Sequence, residues 1–408
     1  MSGTPVGARR IVVVGAGLAG LRTVDALRRK GWTEDIVVLG DERHAPYTRP
    51  PLSKKLLAEG GADHASVALR MREDPHPTTW RYAEEVVGAD LDAATVTLAS
   101  GDELAYDGLV AASGVRPRRL PLGDPDARLV LRTVDDAAAL AAHLGPGVRV
   151  VVIGGGFIGC EVAAAARARG AASVDVVTLD TQPMLTPLGA VVGAELRRRH
   201  EVAGTTVRCG RTVSEVTRDG DASSGVCRVV LDDGTVLEAD VVVEAVGSVP
   251  ATVWLEGNGL DLADGVVCDA ALRLGGRRGT VGVGDVARFP NASVDAVARR
   301  VEHWQIAGDT AGRAATTLLG DLGVLPEDPA PFAVVPSFWS DQGVVSVRGI
   351  GMPSLGEESE VVEGTLDAEA AVLYRRGDDL VGAVLLGLPR RLGYYTQLVT
   401  AASVGTPA

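Results

Sequence analysis

One glycine-rich turn occurs twice in this chain, each time between a short apolar run and a helical pattern, and it limits the fold more than any other feature. The first copy reads RIVVVGAGLAG over residues 10–20, and the second reads RVVVIGGGFIG over residues 149–159. Such glycines permit a tight turn, a close approach of the backbone to a pyrophosphate, and close packing of helix on strand. We therefore expect two dinucleotide sites, built on Gly15, Ala16, Gly17 and Gly20 in the first copy and on Gly154, Gly156 and Gly159 in the second.

An acidic residue follows each turn at the same distance. Asp41 and Asp180 each lie 26 positions after the first glycine of their copy, where a second apolar run ends. A carboxylate at this place accepts hydrogen bonds from an adenosine ribose, and in the first copy either Asp41 or Glu42 is placed to do so. At the second site, a carboxylate would repel a 2′-phosphate, and residues 181–184 contain no Arg or Lys to neutralise one. The sequence therefore favours NADH over NADPH.

The spacing of later segments predicts that the second unit is inserted within the first. A strand followed by glycine and proline occurs at residues 103–118 and again at 238–250, where Gly247 marks the exit. Residues 280–289 would then return the chain to the first sheet. We predict an α/β protein with two Rossmann-like dinucleotide-binding domains, one inserted in the other, plus a small α+β domain. The predicted bounds are 8–115 and 248–325 for the first dinucleotide-binding domain, 116–247 for the second, inserted domain, and 326–408 for the C-terminal domain, with strands at 338–342, 344–348, 371–374 and 380–385.

Composition narrows the class of partner and the cellular location. The net charge is −13, which disfavours a nucleic-acid partner because phosphate binding needs an excess of Lys and Arg. There is no apolar run of about 18 residues and no signal-like segment, so we expect no membrane association. The four cysteines show neither a CxxC pair nor a metal-ligand spacing, so we expect reduced thiols, no metal and a cytoplasmic location.

Four further motifs carry a family resemblance that runs through nearly the whole chain. They read YTRPPLSKKLL from residue 47, VGDVARF from 283, RVEHW from 300 and FWSDQ from 338. Together with the two turns, they resemble the FAD/NAD-linked reductases of glutathione-reductase type. More narrowly, they resemble the ferredoxin reductases of the putidaredoxin reductase family, which serve cytochrome P450s and Rieske ring-hydroxylating dioxygenases. The resemblance implies an FAD-dependent enzyme that takes a hydride from NADH and passes single electrons to a 2Fe–2S ferredoxin.

The resemblance also implies roles for individual residues. Lys54 would lie beside the flavin N5 edge, Glu161 near the nicotinamide, and Trp339 where electrons leave, so these three are the expected catalytic residues. The residues implied to bind FAD are Asp41, Arg49, Lys54, Val86, Arg132, Asp285 and Trp304. Two positions depart from the family pattern: Ser113 replaces a more usual threonine and keeps the hydroxyl, and Asp180 replaces a more usual glutamate.

Several functions remain open at this point. The chain could serve a ferredoxin, serve rubredoxin or another electron carrier, or act as a redox-sensing flavoprotein with slow NADH turnover. Dithiol chemistry is rejected because residues 43–60 contain no cysteine. Monooxygenation is disfavoured because the resemblance places Trp304 and Trp339 in the pocket. An acidic ferredoxin would need a local basic patch on this acidic protein, for which the candidates are Arg299, Arg300 and Arg313.

Overall fold

The computed structural model of this protein describes residues 9–404, apart from residues 62, 74, 77 and 221–224. The outer bounds predicted for the first and last domains, residues 8 and 408, therefore lie outside the described part. Parallel sheets alternate with helices along the chain, which confirms the predicted α/β class.

The first part of the chain forms a parallel sheet and an antiparallel meander. Its elements are β1 (Arg10–Val14), α1 (Leu18–Arg29), β2 (Asp35–Leu39), α2 (Lys55–Ala58), α3 (His64–Val67), β3 (Thr78–Arg81), β4 (Val86–Asp90), β5 (Thr95–Leu98), β6 (Glu103–Ala105), β7 (Gly108–Ala111) and β8 (Val115–Pro117). Four Ile and Val side chains of β1 are buried, as expected for a strand that helices cover on both faces. The meander consists of β4, β5 and β6.

The second part builds a similar parallel sheet with the order β11-β10-β9-β15. Its elements are α4 (Val134–His143), β9 (Arg149–Ile153), α5 (Phe157–Ala168), β10 (Ser173–Thr178), α6 (Leu185–Val202), β11 (Thr206–Cys209), β12 (Val213–Asp219), β13 (Val226–Leu231), β14 (Val236–Ala239), β15 (Val241–Glu244) and β16 (Ser248–Pro250). The antiparallel sheet of β12, β13 and β14 packs against one face through a shared apolar cluster.

The third part returns the chain to the first sheet. Its elements are β17 (Val266–Val267), β18 (Thr280–Gly282), β19 (Ala287–Asn291), β20 (Asp295–Arg300) and α7 (Trp304–Asp321). β18 pairs in parallel with β7, and the first sheet has the order β18-β7-β1-β2-β3. The predicted return near residue 280 is thus confirmed. β8 and β16, which flank the second sheet in the sequence, pair with each other in antiparallel fashion.

The C-terminal part is a five-stranded antiparallel sheet covered by one helix. Its elements are β21 (Ser337–Asp341), β22 (Ser346–Gly351), β23 (Glu358–Gly364), β24 (Ala370–Arg376), β25 (Asp379–Leu386) and α8 (Leu392–Val404). The order is β21-β22-β25-β24-β23, and four of these strands overlap the predicted segments. The edge strand β23 was missed because almost all of its side chains are exposed, which leaves no alternation of apolar residues to detect.

Helix α6 fixes the C-terminal sheet against the second part of the chain. The helix breaks at Gly189, whose φ is +75°, and the hydroxyl of Tyr374 donates to the carbonyl of Leu188 at 2.6 Å. A carbonyl at a break in a helix needs such an external donor. Apolar residues of α6 and of β22, β24 and β25 form one buried cluster. This packing brings β21 to α5, where the candidate site lies.

Candidate active site

The two glycine turns have nearly the same backbone geometry. Gly15 has a φ of +119° and Gly154 a φ of +113°, values that L side chains rarely adopt. A Cβ on Gly20 would lie 2.0 Å from the carbonyl oxygen of Gly15, and a Cβ on Gly159 would lie 2.0 Å from that of Gly154. Each helix therefore packs directly on its own turn, and only glycine fits at these four positions.

The middle glycine of each turn faces open space. A Cβ on Gly17 or on Gly156 would meet no atom within 4 Å, and these residues cap the N-termini of α1 and α5. Ala16 packs against the end of β2. A Cβ added to Gly40 would lie 2.5 Å from the Cβ of Ala16. Unpaired N–H groups and the positive end of each helix dipole thus face a gap that fits a pyrophosphate.

A buried ion pair lies between the first and second parts of the chain. Lys54 Nζ lies 2.9 Å from Glu161 Oε2, and the side chains of Lys54 and Glu161 are 14% and 2% exposed. Lys54 follows a short 3-10 helix at Pro50–Ser53, and its ammonium also donates to the carbonyl of Pro50 at 3.1 Å. Glu161 lies in α5, directly after the second turn. A charge at this depth without a partner would cost several kcal/mol, and the two opposite charges compensate each other.

Two hydroxyl groups hold the same carboxylate. Ser53 Oγ donates to Glu161 Oε2 at 2.5 Å, and Ser340 Oγ, on β21, donates to Glu161 Oε1 at 2.5 Å. The candidate site therefore combines residues from the first, second and C-terminal parts of the chain. The sequence pointed to Lys54 and Glu161 but to neither serine. The serines lie 108 and 179 positions from Glu161 in the sequence, and nothing in their own motifs marks them as partners of that residue.

In the first unit, Glu42 is engaged by neighbouring side chains. Arg49 Nη2 lies 2.5 Å from Glu42 Oε1, and the hydroxyl of Tyr47 donates to Glu42 Oε2 at 2.5 Å. Arg49 also donates to the carbonyl of Arg132 at 2.8 Å, so it lies with this group rather than with the Lys54–Glu161 pair. Asp41 is different, since its side chain is 58% exposed and lies 3.5 Å from Arg116. Of the two acids left open by the sequence, Asp41 is the one whose carboxylate remains available.

Arg132 and Asp285 face each other beside this group. Arg132 Nη2 lies 3.3 Å from Asp285 Oδ2. Burial lowers the pKa of Arg132, and the nearby positive charge of Arg49 lowers it further. Burial raises the pKa of Asp285 against the opposing pull of Arg132. The two neighbouring guanidinium groups, whose side chains are 26% and 29% exposed, form a place where a phosphate anion would be stabilised.

Val86 lies beside the predicted adenosine end of this site. It begins β4, and the backbone N–H of Glu84, two residues earlier, donates to the carbonyl of Gly40 at 2.8 Å. Glu85 forms an ion pair with Arg116 at 3.0 Å, the same arginine that faces Asp41. The structure therefore brings Val86 and Asp41 to the same end of β2.

The predicted ribose site of the second unit is the more open of the two. Asp180, which follows β10, is exposed, and Gly247, with a φ of +93°, follows β15 in open space. The structure also reveals a basic residue that the sequence did not suggest. The N–H of Arg211 donates to the carbonyl of Thr178 at 3.0 Å, two residues before Asp180, but its guanidinium pairs with Asp233 at 2.8 Å.

Two tryptophans lie at the surface edge of the site. The rings of Trp304 and Trp339 are 6.0 Å apart with planes inclined by 70°, and Trp304 is 40% exposed. His303 precedes α7 and contacts Phe338 at 5.0 Å between ring centres. Burial lowers the pKa of His303 to about 4, so the imidazole is neutral at pH 7. Its Nδ1 and the Oδ2 of Asp309 are buried polar atoms with no hydrogen-bond partner among the described residues.

No cysteine among the described residues is poised for redox chemistry at this site. Cys160 is adjacent to Glu161 in sequence, but its thiol points into the apolar cluster between α5 and α6 and is 2% exposed. Burial raises the pKa of Cys160 to about 12, so the reactive thiolate is suppressed. The other three cysteines, Cys209, Cys227 and Cys268, are also free.

The three arginines suggested for partner docking all carry acidic partners. Arg299 Nη2 donates to Asp295 at 3.0 Å, Arg300 Nε to Asp264 at 3.0 Å, and Arg313 Nη1 to Asp328 at 2.8 Å. The side chains of Arg300 and Arg313 are 11% and 10% exposed. Their positive charge is thus largely balanced within the chain itself.

The donor sets fit two dinucleotides. The first turn, the Arg49–Arg132 group and the unpaired atoms of His303 and Asp309 suit a large polar cofactor such as FAD. The second turn and an exposed carboxylate suit NAD(H). Within the described residues there is no grouping of three His, Cys, Asp or Glu side chains that could hold a metal ion. Among the helices described, none is both long and apolar enough to cross a membrane.

Two glycine turns of the dinucleotide-binding type and a buried Lys–Glu pair directly after the second turn indicate a nucleotide-dependent oxidoreductase. Comparison with known proteins supplies the family: residues 9–311 match the pyridine nucleotide-disulphide oxidoreductase family, and the chain belongs to it. This membership, together with the relatives described next, confirms the predicted family resemblance, the oxidoreductase class and the use of FAD and NAD(H).

Similar proteins cover almost the whole chain. The ferredoxin–NAD(+) reductase component of the p-cumate 2,3-dioxygenase system of Pseudomonas putida is 32% identical, with 98% of this chain and 95% of that protein covered. The corresponding component of the anthranilate 1,2-dioxygenase system of Burkholderia cepacia is 35% identical, with 97% and 95% covered. The crystal structure of the covalent putidaredoxin reductase–putidaredoxin complex matches with a TM-score of 0.87 at 30% identity, covering 97% of this chain and 93% of that chain.

Proposed function

We propose that this chain is an FAD-dependent NADH:ferredoxin reductase that supplies single electrons to a 2Fe–2S ferredoxin, which in turn serves a cytochrome P450 or a Rieske oxygenase. The observation that carries the proposal is the buried Lys54–Glu161 pair, next to which the only neighbouring cysteine in the described part of the chain, Cys160, is buried and its thiolate suppressed. The names of the similar proteins support the choice of ferredoxin as acceptor. The free, mostly buried cysteines accord with a cytoplasmic location, which is part of the proposal.

The proposal assigns one cofactor to each unit. Residues 8–115 and 248–325 form the FAD-binding domain, residues 116–247 the NAD-binding domain inserted in it, and residues 326–408 the C-terminal domain. The first sheet supports this division because its strands come from both sides of the second sheet in the sequence. The pairing of β8 with β16 supports it as well, since the two chain crossings then form one hinge-like connection.

In the FAD-binding domain, the residues around the first turn hold the cofactor. Gly15, Ala16, Gly17 and Gly20 shape the turn, and Asp41 would bind the adenosine ribose. Arg132 and Asp285 would hold the pyrophosphate and ribityl part, while Val86 and Trp304 would contact opposite ends of the cofactor. Arg49 is shared between Glu42 and the backbone of Arg132, so it would act by orienting these groups.

In the NAD-binding domain, Gly154, Gly156 and Gly159 would admit the NADH pyrophosphate, with Gly247 lining the opening. Asp180 would accept hydrogen bonds from the adenosine ribose and exclude a 2′-phosphate. Arg211 does not reverse this preference, because Asp233 holds its guanidinium at 2.8 Å.

When bound, NADH and FAD supply the chemistry of hydride transfer and of its division into single electrons. The chain places and shields that chemistry. Lys54 keeps a positive charge at the junction of the two domains, and Glu161 fixes its direction. Trp339 and Trp304 exclude water at the outer edge of the site and give electrons an exit toward a docked partner.

The docking arginines remain part of the proposal. Arg299, Arg300 and Arg313 flank the Trp304 segment, but their ion pairs leave little free positive charge. We therefore expect them to adjust the rate at which an acidic ferredoxin approaches rather than to hold it.

Electron acceptors distinguish this function from its alternatives. NADH oxidation by the flavin-loaded protein should accelerate at least tenfold when a 2Fe–2S ferredoxin from a P450 or dioxygenase system is added. A rubredoxin at the same concentration should give a much smaller increase. Equal acceleration by rubredoxin would refute the ferredoxin assignment, and the absence of any acceleration would favour a redox sensor.

A further inference from the structure

A chain of buried polar side chains reaches the second oxygen of Glu161. Ser340 Oγ lies 2.5 Å from Glu161 Oε1, and Gln342 Nε2 lies 3.2 Å from Ser340 Oγ. At the far end, His200 Nε2 lies 2.8 Å from Gln342 Oε1. All four side chains are at most 2% exposed, so bulk water does not compete for these hydrogen bonds.

The chemistry of the groups sets the direction of every hydrogen bond. Burial lowers the pKa of His200, so its ring is neutral, and Nε2 carries the hydrogen because it faces the amide oxygen of Gln342. Gln342 then presents its NH2 group to Ser340 Oγ and to Met184 Sδ, which is 3.4 Å away. Ser340 accepts from Gln342 and donates its single hydrogen to Glu161, because a carboxylate can only accept.

Strand β21 presents different side chains on its two faces. Ser340 is fully buried, as is Gln342 just beyond the strand, and both point toward Glu161. Trp339, the residue before Ser340 in the strand, contacts Trp304 instead. Because side chains alternate along a strand, this one strand reaches both the Lys54–Glu161 pair and the outer edge of the site.

We propose that Ser340 and Gln342 are positioning residues for the Lys54–Glu161 pair, with His200 fixing the orientation of the Gln342 amide. The C-terminal sheet is then part of the hydride-transfer site. This inference rests on the proposed function and adds a relay, defined as His200, Gln342 and Ser340, to the same site. Without the Ser340 hydroxyl, one oxygen of the buried carboxylate has no donor, and its charged form is disfavoured.

The test is Ser340→Ala, studied as the flavin-loaded protein. At pH 6, the rate of flavin reduction by NADH should fall about tenfold, as expected for loss of a hydrogen bond to a charged group. The rate should recover as the pH rises, because the carboxylate regains its charge. The midpoint potential of the bound FAD should be more positive than in the parent at pH 6 and should converge with it at pH 9, since less negative charge then lies beside a centre that gains electrons.

Matched variants separate positioning from general loss of stability. Ser340→Thr keeps the hydroxyl and should restore both the rate and the potential. Thr317→Val removes a different buried hydroxyl, which donates to the carbonyl of Ala271 at 2.7 Å, and should leave both pH profiles unchanged. Gln342→Leu frees the Ser340 hydroxyl to turn and should shift both profiles in the same direction as Ser340→Ala, but less. If Ser340→Ala does not fold, Gln342→Leu carries the test.

Two results would overturn the relay. One is that the midpoint potential of the bound FAD and the pH profile of flavin reduction stay at the parent values in Ser340→Ala. Where that variant does not fold, the same result in Gln342→Leu has the same meaning. The other is an equal shift in Thr317→Val. Neither readout involves ferredoxin, so such a result leaves the proposed electron acceptor in place. A parent protein whose flavin NADH does not reduce would overturn the proposed function and the relay with it.

Discussion

The two nucleotide units share a turn but differ in what surrounds it. Around the first turn, Glu42, Arg49, Arg132 and Asp285 form a continuous set of half-buried charges. Around the second turn, Asp180 is exposed and Arg211 is held away by Asp233. The same backbone device can therefore serve a retained cofactor or an exchangeable substrate. The difference lies in how many charged groups the fold closes around it.

The largest expected effect comes from filling the packing contact inside each turn. Gly159→Ala should leave FAD bound but lower kcat/KM for NADH about 100-fold, because the new Cβ would lie 2.0 Å from the carbonyl oxygen of Gly154. Gly20→Ala, with the same overlap in the first turn, should instead yield protein that has lost its flavin. Flavin absorbance and NADH kinetics separate the two outcomes.

The control for this pair is Gly145→Ala. A Cβ at Gly145 would meet no atom within 4 Å, so both flavin content and kinetics should match the parent. If Gly159→Ala lost flavin and Gly20→Ala did not, the assignment of cofactors to the two units would be reversed.

The second-largest effect is expected at the Lys54–Glu161 pair, which lies between the two units. Glu161→Gln removes the charge that faces Lys54 while keeping the size of the side chain, and flavin reduction by NADH should slow about 30-fold with FAD retained. Stopped-flow absorbance measures this step. Glu195→Gln, which replaces another mostly buried glutamate that pairs with Arg198 at 2.7 Å on α6, should not change the rate. Equal slowing in both variants would count against a role specific to Glu161.

The acids that follow the two turns should have different effects. Asp180→Ala should raise the KM for NADH about tenfold, because a hydrogen-bond acceptor for the ribose is lost. It should also reduce the preference for NADH over NADPH, because the carboxylate no longer repels the 2′-phosphate. Adding Asp233→Asn should narrow the preference further, because Arg211 is then released. Asp41→Ala should weaken retention of FAD and leave the KM for NADH unchanged. A changed preference between NADH and NADPH in Asp41→Ala would contradict the assignment of FAD to the first unit and NADH to the second.

The closed first unit also predicts a dependence of stability on pH. The pKa of His303 is about 4 in the folded protein, below the usual value of about 6.5 in an unfolded chain. The unfolded state thus takes up a proton first as the pH falls, so this stabilisation is present above pH ~6.5 and is lost toward pH 4. Between pH 7 and pH 5, we expect a loss of about 2 kcal/mol that His303→Phe does not show in urea unfolding. His143→Gln, at an exposed histidine, should behave as the parent does.

The smallest effect is expected at the proposed docking surface. Arg313→Glu should slow ferredoxin reduction about threefold, because Asp328 already balances much of the charge of Arg313. Reduction of ferricyanide by NADH should be unchanged. Equal loss with both acceptors would show that Arg313 supports the fold and does not contact the partner.

Local patterns in the sequence were sufficient to predict the framework. The glycine turns, the strands that flank them and the return near residue 280 could be predicted because strong apolar runs and glycines mark them. Lys54 and Glu161 were named, and the structure brings them together at 2.9 Å. The two serines could not be found, because a hydroxyl carries little sequence signal and its partner lies more than 100 positions away.

The surroundings of individual charges were also beyond the sequence. Asp41 and Glu42 are adjacent and chemically alike. Only the structure shows that Arg49 and Tyr47 bind the carboxylate of Glu42. Arg211 lies beside the Asp180 strand because β11 pairs with β10, a contact between strands that are separated by α6. Arg299, Arg300 and Arg313 looked like a basic patch in the sequence, but each has an acidic partner in the fold.

The central claim is that electrons pass from NADH to a 2Fe–2S ferredoxin through one flavin, without a thiol. An anaerobic titration of the flavin-loaded protein and excess ferredoxin with NADH tests it most directly, by the loss of iron–sulfur absorbance. The account predicts about two molecules of ferredoxin reduced per NADH, with no change after all accessible thiols have been alkylated. Protein that remains colourless after reconstitution with FAD, or a reduced flavin beside ferredoxin that stays oxidised, would contradict it.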